Sequence, residues 1–185
     1  MLELSMHVLD IAQNSISAKA TLIELSFIID EQKDIFEFVI KDNGVGMDEE
    51  TVEAIKSPFY TSRTTRKVGL GIPMLIETAK MTNGFVDIKS SPGKGTEIRS
   101  VFGLSNIDRP PLGDIAGTIL TLVLADENVD IIVNFEKIGK EKFYLDTREI
   151  KNTLQGVSIY EPEVISFLKE YIIQGIESVK NGGVL

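Results

Sequence analysis

The chain has 185 residues, with 28 acidic against 19 basic side chains and a formal net charge of −9; that length suits one domain, or one domain with a sizeable extension. The acidic balance is the wrong sign for a phosphate-tracking, nucleic-acid-binding surface, and the absence of cysteine removes disulfides, thiolate metal sites and cysteine nucleophiles together. The start MLELSMHVLD lacks the basic region of a secretory signal, and no apolar run approaches the ~20 residues of a membrane span, so the expectation is a soluble, cytoplasmic protein with no membrane partner.

Residues 3–18 are predicted to form a helix, because Leu4, Val8, Leu9, Ala12 and Ile16 recur at helical spacing. TLIELSFIID (21–30) and DIFEFVI (34–40) follow as two strands of a hairpin. The stretch DNGVGM (42–47) comes next, then a short acidic helix, DEETVEAIK. SPFYTSRTTRKVGLG has no stable period and reads as a loop. LGIPMLIETAKMTN reads as a helix with Pro73 in its first turn, where a missing N–H costs nothing. GFVDIKS and GTEIRSVFGL, separated by SPGK, form a second hairpin. A boundary falls near 106–111, NIDRPP. Beyond it a helix (about 113–125), a hairpin turning at Gly139, a short helix (147–155) and a terminal helix after Glu161-Pro162 are expected.

Several of these segments carry more than structure. In DNGVGM two glycines one residue apart after a strand signal a tight turn beside something. No GxxxxGK[ST] lysine follows, so it is not a P-loop. Its leading Asp42 instead offers a carboxylate at a strand end, an acceptor for a ligand's hydrogen-bond donor. On the first helix, His7, Asp10, Asn14 and Ser17 fall within about 80° of one another, opposite the apolar stripe. An Asn amide oxygen suits Mg²⁺, and an acid one turn earlier can orient a nucleophile. Gly69-Leu70-Gly71 precedes a helix, where backbone N–H groups attract phosphate. The loop before it carries Arg63, Arg66 and Lys67 and is suited to closing over a polyanion. Gly93-Lys94-Gly95-Thr96 is a hairpin turn.

Taken in order, DIAQNSISA, DNGVGM, PFYTS followed by VGLGI, and PGKGTEI resemble the four motifs of the GHKL ATPase superfamily, which includes gyrase, heat-shock chaperone, histidine kinase and mismatch-repair ATPases. The short loop between PFYTS and GLGI is most similar to sensor histidine kinases. The resemblance implies a two-layer α/β sandwich, an α+β fold, for residues 1–108, with 109–185 as a small additional α+β region. It implies that Asn14 ligands the Mg²⁺ bridging the ATP phosphates. Asp42 would accept a hydrogen bond from the adenine amino group, supported by Thr96, with Gly44 and Gly46 admitting the base and Met47 packing near it. Gly69, Leu70 and Gly71 would cradle phosphates, and residues 60–68, with Thr61 and Ser62 as nucleotide contacts, would form the lid.

The activity so implied is Mg·ATP-dependent phosphoryl transfer to a partner protein; an ATP-dependent binding module, anti-sigma-like, or a slow ATPase is the alternative. Asp10 stands where ATPase branches usually carry Glu, so its carboxylate is one methylene shorter. Ser17 stands where many histidine kinases carry a basic residue. No helical-hairpin domain with a phosphoacceptor His is expected before residue 1, and SMHVLDI around His7, the sole histidine, lacks such a residue's usual acid-and-proline surroundings, so His7 is expected as a half-buried structural residue. The tail's GTILTLVLA and VISFLKEYIIQGI are expected to serve a homodimer or another protein partner, or to pack on the rest of the chain.

Overall fold

In the computed structural model, which describes residues 3–57, 71–140 and 142–180, the first helix α1 (Leu4–Ser17) buries Leu4, Val8, Ile11, Ala12 and Ser15 along one face. It stops at Lys19, whose φ of 63° is left-handed and breaks the helical run. Strands β1 (Leu22–Asp30) and β2 (Ile35–Asp42) pair antiparallel, so that Phe27 faces Phe38 and Leu25 faces Ile40. Their alternation places Ile23, Leu25, Phe27, Ile29, Phe36, Phe38 and Ile40 on the buried side. The turn between them is fixed locally: the Asp30 carboxylate accepts from Gln32 N and Lys33 N at 3.1 and 3.0 Å.

The short helix α2 (Glu49–Ala54) starts on Asp48, whose carboxylate accepts from Thr51 N at 2.8 Å. Helix α3 (Gly71–Met81) leads into the hairpin of β3 (Phe85–Ser91) and β4 (Gly95–Gly103). Then come α4 (Ile115–Val123), β5 (Asp130–Lys137), β6 (Lys142–Asp146), α5 (Thr147–Thr153) and α6 (Pro162–Lys180). The six strands among the described residues lie in one sheet, ordered β3-β4-β2-β1-β5-β6.

The segment beyond residue 109 therefore extends the same sheet. β5 runs parallel to β1 from Leu22↔Asp130 to Ile29↔Lys137, and Phe135 stacks on Phe27 with centroids 5.3 Å apart. Helices α3, α1, α4 and α6 lie side by side as one layer. α4 contributes Ile115, Ile119, Leu122 and Val123 to the core and α6 contributes Leu168, Ile172, Ile176 and Val179. Two backbone bonds, Leu4 N to Pro111 O at 3.0 Å and Ser5 N to Leu112 O at 2.9 Å, tie the start of α1 to the incoming tail. Helices over a sheet is the expected α+β, two-layer arrangement. The opposite face of the sheet is a mosaic of cross-strand pairs, such as Arg99 donating twice to Glu37 at 3.0 and 2.7 Å while lying over the Phe85 ring.

Candidate functional site at the end of strand β2

The site begins at the last residue of β2. Asp42 is paired in register with Thr96 on one side and Ile23 on the other, and it is only 8% exposed. Three donors converge on its carboxylate. Oδ1 accepts from Gly44 N at 2.9 Å and Thr96 N at 3.2 Å, while Oδ2 accepts from the Ser15 hydroxyl of α1 at 2.6 Å. A buried carboxylate held this way has its plane fixed and keeps acceptor capacity for a further donor.

The loop after Asp42 is pinned in the same fashion. Asn43 accepts from Thr21 N and Leu22 N at 2.8 and 2.9 Å and donates to Thr21 Oγ1 at 2.9 Å. Gly44 and Gly46 are explained first by the chain's own backbone. A Cβ on Gly44 would lie 2.7 Å from Ala18 O, and Gly46, at φ +66°, would drive a Cβ into the Ser91 carbonyl. The loop is thereby wedged between the end of α1, where Val45 N donates to Ala18 O at 2.9 Å, and the β3–β4 turn, where Gly93 N donates to Val45 O at 2.7 Å. Met47 is half-buried and packs on the core, and its N–H donates to Ser90 Oγ at 2.8 Å. Ser90 Oγ also lies 2.9 Å from both Gly95 O and Thr96 Oγ1.

Asp10 and Asn14 sit one turn apart on α1, and Asn14 precedes the Ser15 that holds Asp42. A Cβ on Gly71, the first residue of α3, would fall on Asp10 Oδ2. The acid thus stands at the N-terminus of α3, where the helix dipole favours negative charge. Asn14 is exposed on α1. The structure thus brings Asp42, Gly44, Gly46, Met47 and Thr96 into one cluster at the strand ends, and Asp10 with Gly71 into a second contact. Thr61, Ser62, Gly69 and Leu70, with the rest of the 60–68 segment, lie outside the described residues.

His7 is structural, as expected, but fully rather than half buried. It was grouped by helical angle with Asp10, Asn14 and Ser17, yet it is 1% exposed and neither ring nitrogen has a hydrogen-bond partner. The reason is that α1 lies between α3 and α4, so its buried arc is wider than its apolar stripe. Burial pushes its pKa down to about 4, which keeps the imidazole neutral at ordinary pH. Sequence reasoning also missed Ser15 and Ser90. The available signal for Ser15 was a small hydroxyl on an arc otherwise made of Leu4, Val8, Ile11 and Ala12.

The profile described as "Histidine kinase-, DNA gyrase B-, and HSP90-like ATPase" matches residues 2–106. The chain is 33% identical over 90 residues to the sensor histidine kinase YxdK of Bacillus subtilis, covering 46% of this chain and 27% of that protein. It is 31% identical over 90 residues to the sensor protein DegM of a Bacillus species, covering 49% and 24%. It is 43% identical over 70 residues to a putative sensor protein of Shewanella frigidimarina, covering 37% and 11%. The chain thus spans about a quarter or less of these curated relatives. Among solved structures, the N-terminal domain of a DNA repair protein superposes with a TM-score of 0.59 at 15% identity, covering 97% of this chain and 58% of that one, a likeness of fold that runs through the tail as well. With more than half of its length inside the profile match, the chain belongs to the histidine kinase-, DNA gyrase B- and HSP90-like ATPase family.

Proposed function

We propose that the chain binds Mg·ATP and presents it for phosphoryl transfer to a partner protein. The observation that carries this reading is the buried Asp42 carboxylate, held by three of the protein's own donors and still able to accept a fourth. An acceptor so placed selects a ligand edge that offers an N–H, as the adenine amino group does. Thr96 stands beside it to support the base, directly or through water, and Met47 lines the same loop. Residues 1–108 would form the nucleotide-binding part, with 109–185 as its sheet-extending region.

The donor set fits a hard cation. Among the described residues no group of three or more acidic or histidine side chains could hold a metal alone. Asn14 would therefore supply one neutral oxygen, and nucleotide phosphates and water the rest, which is the usual economy of Mg²⁺ sites. Bound there, the ion would offset charge on the transferring phosphoryl group. Asp10, at the N-terminus of α3, would orient the attacking group, and Gly69, Leu70 and Gly71 would present backbone N–H groups to phosphate. Thr61 and Ser62 belong to the segment that would close over it.

His7, the sole histidine of the sequence, is buried. That favours a phosphoacceptor outside these 185 residues, and it equally supports a second reading, an ATP-dependent binding module or slow ATPase. A homodimer is proposed through the tail, where Phe167 and Tyr171 stack in the open with centroids 6.0 Å apart. No described helix is long and apolar enough to cross a membrane, and a cytoplasmic location is proposed with the rest.

Calorimetric titration tests the base assignment. Asp42→Asn keeps the shape but turns an –NH₂ toward either Ser15 or the ligand's own donor, so ATP affinity should fall on the order of a hundredfold. Unchanged affinity in the folded variant ends the adenine reading. Labelled Mg·ATP then separates the outcomes: label on a partner protein supports a kinase, released phosphate an ATPase, and retained ATP a binding module.

A further inference from the structure

The geometry points to Ser15 and Ser90 as positioning residues that set the hydrogen-bond polarity of the base site, Ser15 through Asp42 and Ser90 through Thr96; this rests on the ATP-binding reading above. Ser15 is 4% exposed and reaches Asp42 Oδ2 at 2.6 Å, with the carbonyl of Ile11 3.4 Å away as the weaker alternative acceptor. A short O–H···O⁻ bond inside a low-dielectric site is among the stronger ones a protein makes. It ties the carboxylate to the rigid interior of α1, whereas the other two donors belong to the loop and the neighbouring strand. Without it, Oδ2 is free to rotate out of the plane set by Gly44 N and Thr96 N.

Ser90 closes the second half by a counting argument. A hydroxyl has one proton and two acceptor sites. Ser90 Oγ accepts from Met47 N at 2.8 Å and lies 2.9 Å from both Gly95 O and Thr96 Oγ1. Gly95 O can only accept, so when Ser90 gives it the proton, the remaining site on Ser90 must receive the Thr96 hydroxyl. Thr96 is then left with acceptor sites alone, matching the polarity of Asp42 beside it. The pair of serines therefore presents two acceptors around one point of the ligand edge, an arrangement that takes both hydrogens of the adenine 6-amino group and opposes the guanine carbonyl that replaces it in the same pose. Exchange of either serine for alanine removes the constraint without opening a cavity larger than one oxygen atom.

The test is the ratio of ATP to GTP dissociation constants, which a merely structural role does not move. For Ser15→Ala we expect ATP affinity about tenfold weaker and ATP-over-GTP preference reduced by a similar factor, with Ser15→Cys, a weaker donor, in between. Ser90→Ala should narrow the preference about threefold to tenfold by releasing the Thr96 hydroxyl to donate. If the wild-type protein binds ATP and Asp42→Asn abolishes it, while both alanine variants keep the wild-type ratio, the serine assignment is wrong and the ATP reading stands. If the wild-type protein binds neither nucleotide, both fall. Should Ser15→Ala fail to fold, Ser15→Cys and Ser90→Ala decide on the same ratio.

Discussion

The Asp10 carboxylate stands so close to Gly71 that any Cβ at residue 71 would fall on its Oδ2. The contact joins the middle of α1 to the first residue of α3 and leaves a side chain at 71 no room unless the acid moves. The obstacle is the free end of a flexible side chain, so the displacement itself is cheap. Alanine also has a helix propensity up to ~1 kcal/mol better than glycine, less in a first turn. Gly71→Ala should therefore leave the melting temperature within a few degrees of wild type. It should nonetheless push Asp10 off the α3 terminus and lower phosphoryl transfer or ATP hydrolysis about tenfold, with a smaller change in ATP affinity. Steady-state turnover measured beside calorimetric binding separates the two, and unchanged turnover removes Asp10 from the mechanism.

Deleting the tail should cost the fold itself. In a 1–108 truncation β1 loses its parallel partner β5 and becomes an edge, Phe27 loses its stacked Phe135, and the α1 terminus loses both backbone bonds to residues 111 and 112. The bared edge of β1 would also carry unpaired N–H and C=O groups, a template for aggregation. Light scattering and thermal unfolding should show aggregation or loss of a cooperative transition. A monomeric, cooperatively unfolding 1–108 fragment that binds ATP like the full chain would show instead that residues 109–185 are dispensable to the nucleotide-binding part.

These two relationships mark where the sequence was legible. Element identity followed from local pattern: period-2 alternation in Leu22–Asp30 and helical spacing in Leu4–Ser17 are properties of consecutive residues. The cluster around Asp42 was legible as a list, because its glycines and acid fall in short ordered motifs. What no local pattern carries is which strand lies beside β1 or how far around α1 the burial extends. The parallel pairing of Leu22–Ile29 with Asp130–Lys137 joins segments over 100 residues apart, so the tail read as an extension without its place beside β1 being legible. His7 read as part of a polar stripe for the same reason, since its burial depends on the flanking helices α3 and α4 and not on its own neighbours in sequence.

His7 gives the protein an acid-sensitive step. Burial lowers its folded pKa to about 4, against an unfolded value near 6.5. Between those values the unfolded chain binds a proton that the folded one refuses. Stability is therefore complete above about pH 6.5 and falls as the pH drops toward 4, by on the order of 2 kcal/mol once solvent screening is allowed for. His7→Leu removes the group and the two unpartnered nitrogens together. It should equal or exceed wild-type stability at pH 7.5 by up to ~1 kcal/mol and lose less stability than wild type between pH 6.5 and 4.5. Urea denaturation across that range reads the difference, in which the carboxylates common to both proteins cancel. Parallel stability-versus-pH curves would mean that the ring is solvated in solution.

Asn14 separates metal from base. It is exposed on α1 one residue before Ser15, so Asn14→Ala leaves the Ser15 to Asp42 bond in place while removing the proposed oxygen ligand. Alanine is the better helix former by up to ~0.7 kcal/mol, so the variant should fold at least nearly as well as wild type. In titrations with EDTA, ATP affinity should match wild type, because the base contacts at Asp42 and Thr96 are untouched. With Mg²⁺ present, wild type should bind more tightly and the variant should gain little, so that about tenfold of coupling disappears. A solvent-side role predicts no loss in either condition, and a structural role predicts equal loss in both. Only loss confined to the Mg²⁺ titration places Asn14 on the metal.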